Sequence, residues 1–142
     1  MESGWCLRVS ERGVIRNRKH ATQIRDFTGL RFGKITPTDI DAAVEFGGKL
    51  FVFVEAKFGM GDMPFGQRLC LERICDAIHA PPNRYAVVLV SNHNVSDGDV
   101  DYGASRVVKY RWAGTWRHEF RKEMTVRRAI DEMLRRYGGP LP

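Results

Sequence analysis

Cysteine is scarce in this sequence, three residues in 142, and Cys6, Cys70 and Cys75 match neither metal-finger nor Cys-x-x-Cys redox spacing. An odd, sparse set excludes a disulfide scaffold and points to free thiols in a reducing compartment. Long apolar runs are missing too. The longest, Leu50 to Val54 and Tyr85 to Val90, fall far short of the roughly 20 residues of a bilayer-spanning helix. The start, Met1-Glu2-Ser3-Gly4, lacks the basic stretch and apolar core of a leader. The expected location is therefore the cytoplasm, with no membrane partner. No repeat or low-complexity tract occurs, and glycine and proline are scattered rather than pooled in a linker. Residues 1–142 are accordingly expected to form a single domain, large enough to fold without a metal or disulfide staple.

What is abundant is charge, unevenly placed. Residues 1–34 carry eight basic and three acidic side chains, residues 35–110 seven and ten, and residues 111–142 eight and four, or +5, −3 and +4. Two basic ends flanking an acidic middle suit a polyanion held while a divalent metal works on it. A charge run by itself is usually only a solvated face, so this pattern needs a site to give it meaning.

Periodicity places the elements. Asn17 to Phe27 reads as a helix capped by Asn17, with His20, Ile24 and Phe27 inward and Arg18, Lys19 and Arg25 outward. Ile40, Ala42, Val44 and Phe46 alternate with Asp39, Asp41, Ala43 and Glu45 as in a strand, which Gly47-Gly48 breaks. Leu50 to Lys57 is apolar on both faces until its last three residues, the mark of a central strand ending at a working edge. Gln67, Leu71, Ile74, Cys75 and Ile78 fall at helical spacing before Pro81-Pro82. Tyr85 to Val90 and Ser105 to Trp112 read as strands, Asn92 to Gly103 as a polar loop, and residues 125–137 as a basic closing helix. A hairpin, a helical crossover and a further strand predict an α/β fold: a mixed sheet with helices packed on it.

One constellation carries chemistry. Glu55 and Lys57 stand two apart, hence on one face of a strand. In an antiparallel hairpin directly opposed residues share a face. A three-residue loop Gly47-Gly48-Lys49 therefore opposes Asp41 to Glu55 and Asp39 to Lys57, whereas a two-residue Gly47-Gly48 turn would oppose Asp41 to Val54 and turn the acid away. The expectation is the three-residue loop. Two carboxylates with Cβ atoms about 5 Å apart can share a hard divalent cation such as Mg²⁺, which keeps waters for phosphate to replace. A nearby lysine can orient the nucleophile or steady the anion. The plainer alternative is a pair of strand-end acids neutralised by Lys57 and arginines.

Pro37-Thr38-Asp39-Ile40-Asp41, the hairpin, the apolar run into Glu55-Ala56-Lys57 and Gln67 opening the next helix resemble the PD-(D/E)XK nuclease superfamily, including Holliday junction resolvases and small phage nucleases. The resemblance covers about residues 17–91. It implies a restriction-endonuclease-like αβββαβ core within residues 17–112, with Asp41, Glu55 and the Ala56 carbonyl as ligands of Mg²⁺ or Mn²⁺. It also implies Lys57 near the attacking water and Gln67 as an added polar contact. Hairpin parity favours Asp41 as the aspartate ligand; the spacing from Pro37 leaves Asp39 as the alternative. The function so implied is a metal-dependent DNA endonuclease hydrolysing phosphodiester bonds, structure-specific for branched or recombining DNA, acting as a homodimer. The alternative is a catalytically inactive nucleic-acid-binding or assembly module on the same fold.

Arg16, Arg18, Lys19 and Arg25, with Arg127 and Arg128 near the other end, are the candidate phosphate contacts. No sequence-reading motif is evident. No nucleotide cofactor is expected, because Gly29 to Lys34 places three residues rather than four between its glycines and is followed by Ile35 rather than Ser or Thr.

Overall fold

The computed structural model describes residue 19 and residues 22–139. These divide into two units, one up to Pro37 and one from Thr38 onward, and each is taken by itself.

In the first unit, Arg16, Arg18, His20 and the cap Asn17 lie outside the described residues. Of the expected helix 17–27, Lys19 is helical, whereas residues 23–27 are not, and Ile24, expected inward, is 97% exposed. A local competitor is present. The Asp26 carboxylate accepts the Thr28 N–H at 2.9 Å, offering the backbone a turn in place of a helical bond, and a 3₁₀ turn follows at Thr28–Leu30.

The second unit is an α/β fold with a five-stranded mixed sheet and two helices. The elements are β1 (Ala42–Phe46), β2 (Leu50–Phe58), α1 (Phe65–Ile78), β3 (Tyr85–His93), β4 (Arg106–Trp112), β5 (Thr115–His118) and α2 (Val126–Tyr137). The strands lie in chain order, β2 and β3 being parallel and the other neighbours antiparallel. The crossover through α1 makes β2 and β3 the buried centre, which is why both read as nearly continuous apolar runs. Leu50, Val52, Val54, Val87 and Leu89 turn to the face covered by α2, where Val126 and Ala129 meet them. Ala86, Val88 and Val90, with Phe51 and Phe53 partly buried, turn to the other face, under Leu71 and Cys75 of α1. Two differences from expectation stand out. Among the described residues α1 is preceded by the two strands of the expected hairpin and not by the three that the resemblance implies, and β5 follows β4 through a turn at Ala113-Gly114.

The hairpin register is the expected one. Ala42 pairs with Val54, Val44 with Val52 and Phe46 with Leu50, leaving Gly47-Gly48-Lys49 as a three-residue loop. Both glycines take positive φ, 58° and 71°, which a residue with a Cβ seldom adopts. Continued by one residue, that parity sets Asp41 on the face of Glu55.

Candidate active site

By alternation along β2, Glu55 and Lys57 follow Phe51 and Phe53 onto the α1 face, so a carboxylate occupies what would be a core position. Glu55 is 0% exposed. Its Oε1 accepts a bond from Gln67 Nε2 at 2.6 Å, while its Oε2 is buried with no hydrogen-bond donor. Burial first, then the charge of Asp41, pushes the Glu55 carboxyl up to about 7, against a smaller downward pull from Lys57. Asp41 also lies within hydrogen-bonding reach of Glu55 and adds to the rise. The pair is one proton or one cation short of balance.

Asp41 immediately precedes β1 and continues its ladder with a side chain. Its Oδ2 accepts the Ala56 N–H at 2.8 Å, in the place a neighbouring backbone carbonyl would take. In an extended strand the N–H and C=O of one residue project to the same edge, so the Ala56 carbonyl is directed to the side on which Asp41 sits. Asp39 contributes differently. Its backbone carbonyl accepts from Gln67 Nε2 at 3.2 Å, and its charge acts on Glu55 more weakly than that of Asp41. The paired ladder begins at Ala42, so the expected opposition of Asp39 to Lys57 lies beyond it.

Gln67 holds the cluster together. It sits in the first turn of α1, is buried, and spends both amide hydrogens on Glu55 and the Asp39 carbonyl while its Oε1 accepts from Lys57 Nζ at 3.0 Å. That leaves the amide fully satisfied in one orientation only, because the lysine can only donate and the carboxylate accepts. Gln67 makes these contacts from within the helix; the N-cap position is Pro64. Gln67→Ala is expected to strand Glu55 Oε1 and release Lys57, at a cost of about 1–3 kcal/mol. Thermal unfolding checks this, and an unchanged melting temperature would contradict it.

Two contributors carried no sequence signal as site residues. Tyr102, in a 3₁₀ turn at Tyr102–Ala104, has its phenol raised by burial first and then by the charges of Asp41, Glu55 and Asp39. Its backbone is held by Ser105, whose Oγ lies 2.6 Å from the Tyr102 carbonyl and 2.8 Å from Ser91 Oγ. Asn92, expected in a loop, belongs to β3, level with Lys57, and its Oδ1 is a second buried acceptor without a donor. The β3–β4 ladder also carries a bulge at Val90/Ser91, level with Glu55 and Ala56, a common device for re-aiming side chains beside a site.

Among the described residues no three His, Cys, Asp or Glu side chains form a group able to hold a metal ion by themselves. A zinc-type cage of side chains is thus not what the cluster offers. A hard cation that keeps its waters and takes one or two carboxylates fits better: the unpartnered Glu55 Oε2 beside Asp41, with a backbone carbonyl at the same edge, is an all-oxygen donor set.

The candidate phosphate contacts are less concentrated. Lys19 and Arg25 are exposed in the first unit. On α2, Arg127 pairs with Asp131 at 3.1 Å and Arg128 with Glu132 at 3.8 Å, exposed ion pairs of small worth that a phosphate can replace. A cavity of about 280 Å³ opens on the α2 face, lined by residues including Leu89, Tyr110, Trp112, Met133 and Tyr137, and takes in none of the carboxylate cluster. Trp112 packs there against His79, Tyr85 and Tyr137, a core role rather than a base-stacking one. Among the described residues no helix is long and apolar enough to cross a membrane.

No family model, curated protein or solved structure matches this chain. The functional reading therefore rests on the cluster itself.

Proposed function

We propose that this protein is a metal-dependent endodeoxyribonuclease of PD-(D/E)XK type, with Asp41, Glu55 and the Ala56 carbonyl holding Mg²⁺ or Mn²⁺. The observation that carries the proposal is the fully buried Glu55, one oxygen without a donor and Asp41 beside it, at the end of a central strand two residues before Lys57. A structural acid in the core would have its oxygens satisfied; this one is kept one donor short. When bound, the divalent ion lowers the pKa of water and neutralises charge developing on phosphorus.

The chain's own residues supply the rest. Asp41 lies within hydrogen-bonding reach of Glu55, and Gln67 fixes the Glu55 carboxylate by Oε1 so that Oε2 is left for the cation. Lys57, held by Gln67, places an ammonium where it can steady a non-bridging phosphate oxygen or orient a nucleophile. The basic ends of the chain attract the DNA backbone without reading sequence. The fold is compatible with a restriction-endonuclease-like core that shows two strands before its crossover helix among the described residues.

The test is a cleavage panel: four-way junction, flap, straight duplex and single strand, each with Mg²⁺, Mn²⁺, Ca²⁺ or excess chelator. Mg²⁺ and Mn²⁺ are expected to support cutting, with branched substrates preferred. Ca²⁺, whose longer and looser coordination misplaces the water, is expected to permit binding alone. Undiminished cutting in chelator would exclude the mechanism, and no cutting of any substrate would favour the binding module.

A further inference from the structure

One helix does not cover one face of a five-stranded sheet. A helix is about 10 Å across with its side chains and strands lie about 4.8 Å apart, so α2, packed over β2 and β3, leaves the β4–β5 side of that face open. Directly opposed residues of neighbouring strands share a face, and Leu89 pairs with Tyr110, which pairs with Arg117. That row runs from the buried core at Leu89 to an exposed guanidinium at Arg117. All three line the cavity of about 280 Å³, which also takes in Met133, Arg136 and Tyr137 of α2, while the Ala129 methyl at its floor is too small to fill it. The polar groups around this space are committed unequally. Arg121 lies 2.6 Å from Glu119 and 3.5 Å from Glu132, so the two carboxylates that line the cavity are taken by one arginine. Arg117 and Arg136 have no carboxylate within ion-pair distance among the described residues, and the side-chain N–H or O–H of Tyr110, Trp112 and Tyr137 has no hydrogen-bond partner there.

We infer that this recess binds a small organic anion, an apolar body of about two rings carrying one carboxylate or phosphate. The size follows from the volume: a cavity of about 150 Å³ takes a benzene, and this one is nearly twice as large. The charge follows from the arginines. A lone exposed arginine needs no ligand, but two that line one apolar recess from different elements, β5 and α2, are met together only by an anion small enough to enter it. Guanidinium groups pair with carboxylate and phosphate oxygens through a planar fork, and the unpartnered phenols and indole add donors for the remaining lone pairs. The inference goes beyond the nuclease reading and does not rest on it. Glu55 and Lys57 turn to the α1 face of the sheet, whereas the recess opens on the α2 face and includes no residue of the carboxylate cluster.

The experiment titrates the full chain in chelator with 1-naphthyl phosphate, 1-naphthoate, the neutral 1-naphthylmethanol and inorganic phosphate, by isothermal titration calorimetry. Both naphthyl anions are expected to bind one to one and roughly tenfold or more tighter than the alcohol, the scale of one charge-assisted hydrogen bond. They are expected to exceed inorganic phosphate by about tenfold or more as well, because their rings are buried. The double substitution Arg117→Ala and Arg136→Ala, made at exposed side chains, is expected to bring the anions to within about twofold of the alcohol, since only the apolar body then contributes. Arg73→Ala with Arg135→Ala removes the same charge from exposed positions outside the cavity and is expected to keep the preference. Met133→Trp, which fills the recess, is expected to abolish binding of all three naphthyl probes; the double arginine variant, altered only in solvent, decides alone if that protein does not fold. Anions bound no tighter than the alcohol overturn the inference, as does inorganic phosphate bound as well as naphthyl phosphate. So does a preference that survives the loss of Arg117 and Arg136, or one that is lost equally with Arg73 and Arg135, which would make net charge and not the recess its cause.

Discussion

Glu55→Gln is expected to lower metal-dependent cleavage roughly a thousandfold, the scale on which a single charge-stabilising group at a reacting centre counts, while making the metal-free protein more stable at pH 8. The two effects have one cause. Glu55 is buried and sits beside the charge of Asp41, so its carboxyl is raised from 4.5 to about 7. Between those values the folded state keeps a proton that the unfolded chain has lost. The stability this group contributes is fully present below 4.5 and is lost as pH rises through about 7, a difference of up to about 3 kcal/mol. Glutamine keeps an oxygen for Gln67, turns an N–H toward Asp41 and does not titrate. Its melting temperature should exceed that of wild type by several degrees at pH 8 and converge with it near pH 4. Equal pH profiles for the two proteins, or wild-type cleavage by the variant, would break the link between the buried acid and the chemistry.

Asp41→Asn is expected to remove activity with the fold kept, and Asp39→Asn to be mild. The asparagine carbonyl can still accept the Ala56 N–H, so the strand end survives, but the negative oxygen beside Glu55 is gone. Asp39 enters the cluster through its backbone carbonyl and through charge at a distance. Replacing its carboxylate changes none of the three hydrogen bonds of Gln67. Turnover measured at saturating DNA separates the two, and an active Asp41→Asn with an inactive Asp39→Asn would move the site to Asp39.

The hairpin was legible because parity is arithmetic: Gly47-Gly48-Lys49 as a three-residue loop puts Asp41 opposite Glu55, and the observed pairing has that register. Glu55 and Lys57 were legible as the first polar residues at the end of an apolar run. Gln67 was half legible, since helical spacing placed it near the site without saying that both its hydrogens and its oxygen would be consumed there. Other features had no local signal. Strand β5 is four residues long and follows a turn whose first residue, Ala113, takes φ +49°, where Asn or Gly would have announced the hairpin. Tyr102 feels the charge of the cluster from a 3₁₀ turn fixed by Ser105 and Ser91, contacts that exist only after β3 and β4 have paired. The helix expected over 17–27 rested on His20 and two apolar residues, Ile24 and Phe27, and its second half gives way to the turn that Asp26 forms with Thr28.

The most direct test is cleavage of a labelled four-way junction by the purified chain in Mg²⁺, run beside Glu55→Gln and beside wild type in excess chelator. Metal-dependent cutting by wild type, absent in both controls, is the predicted result. Equal cutting in all three lanes would contradict it.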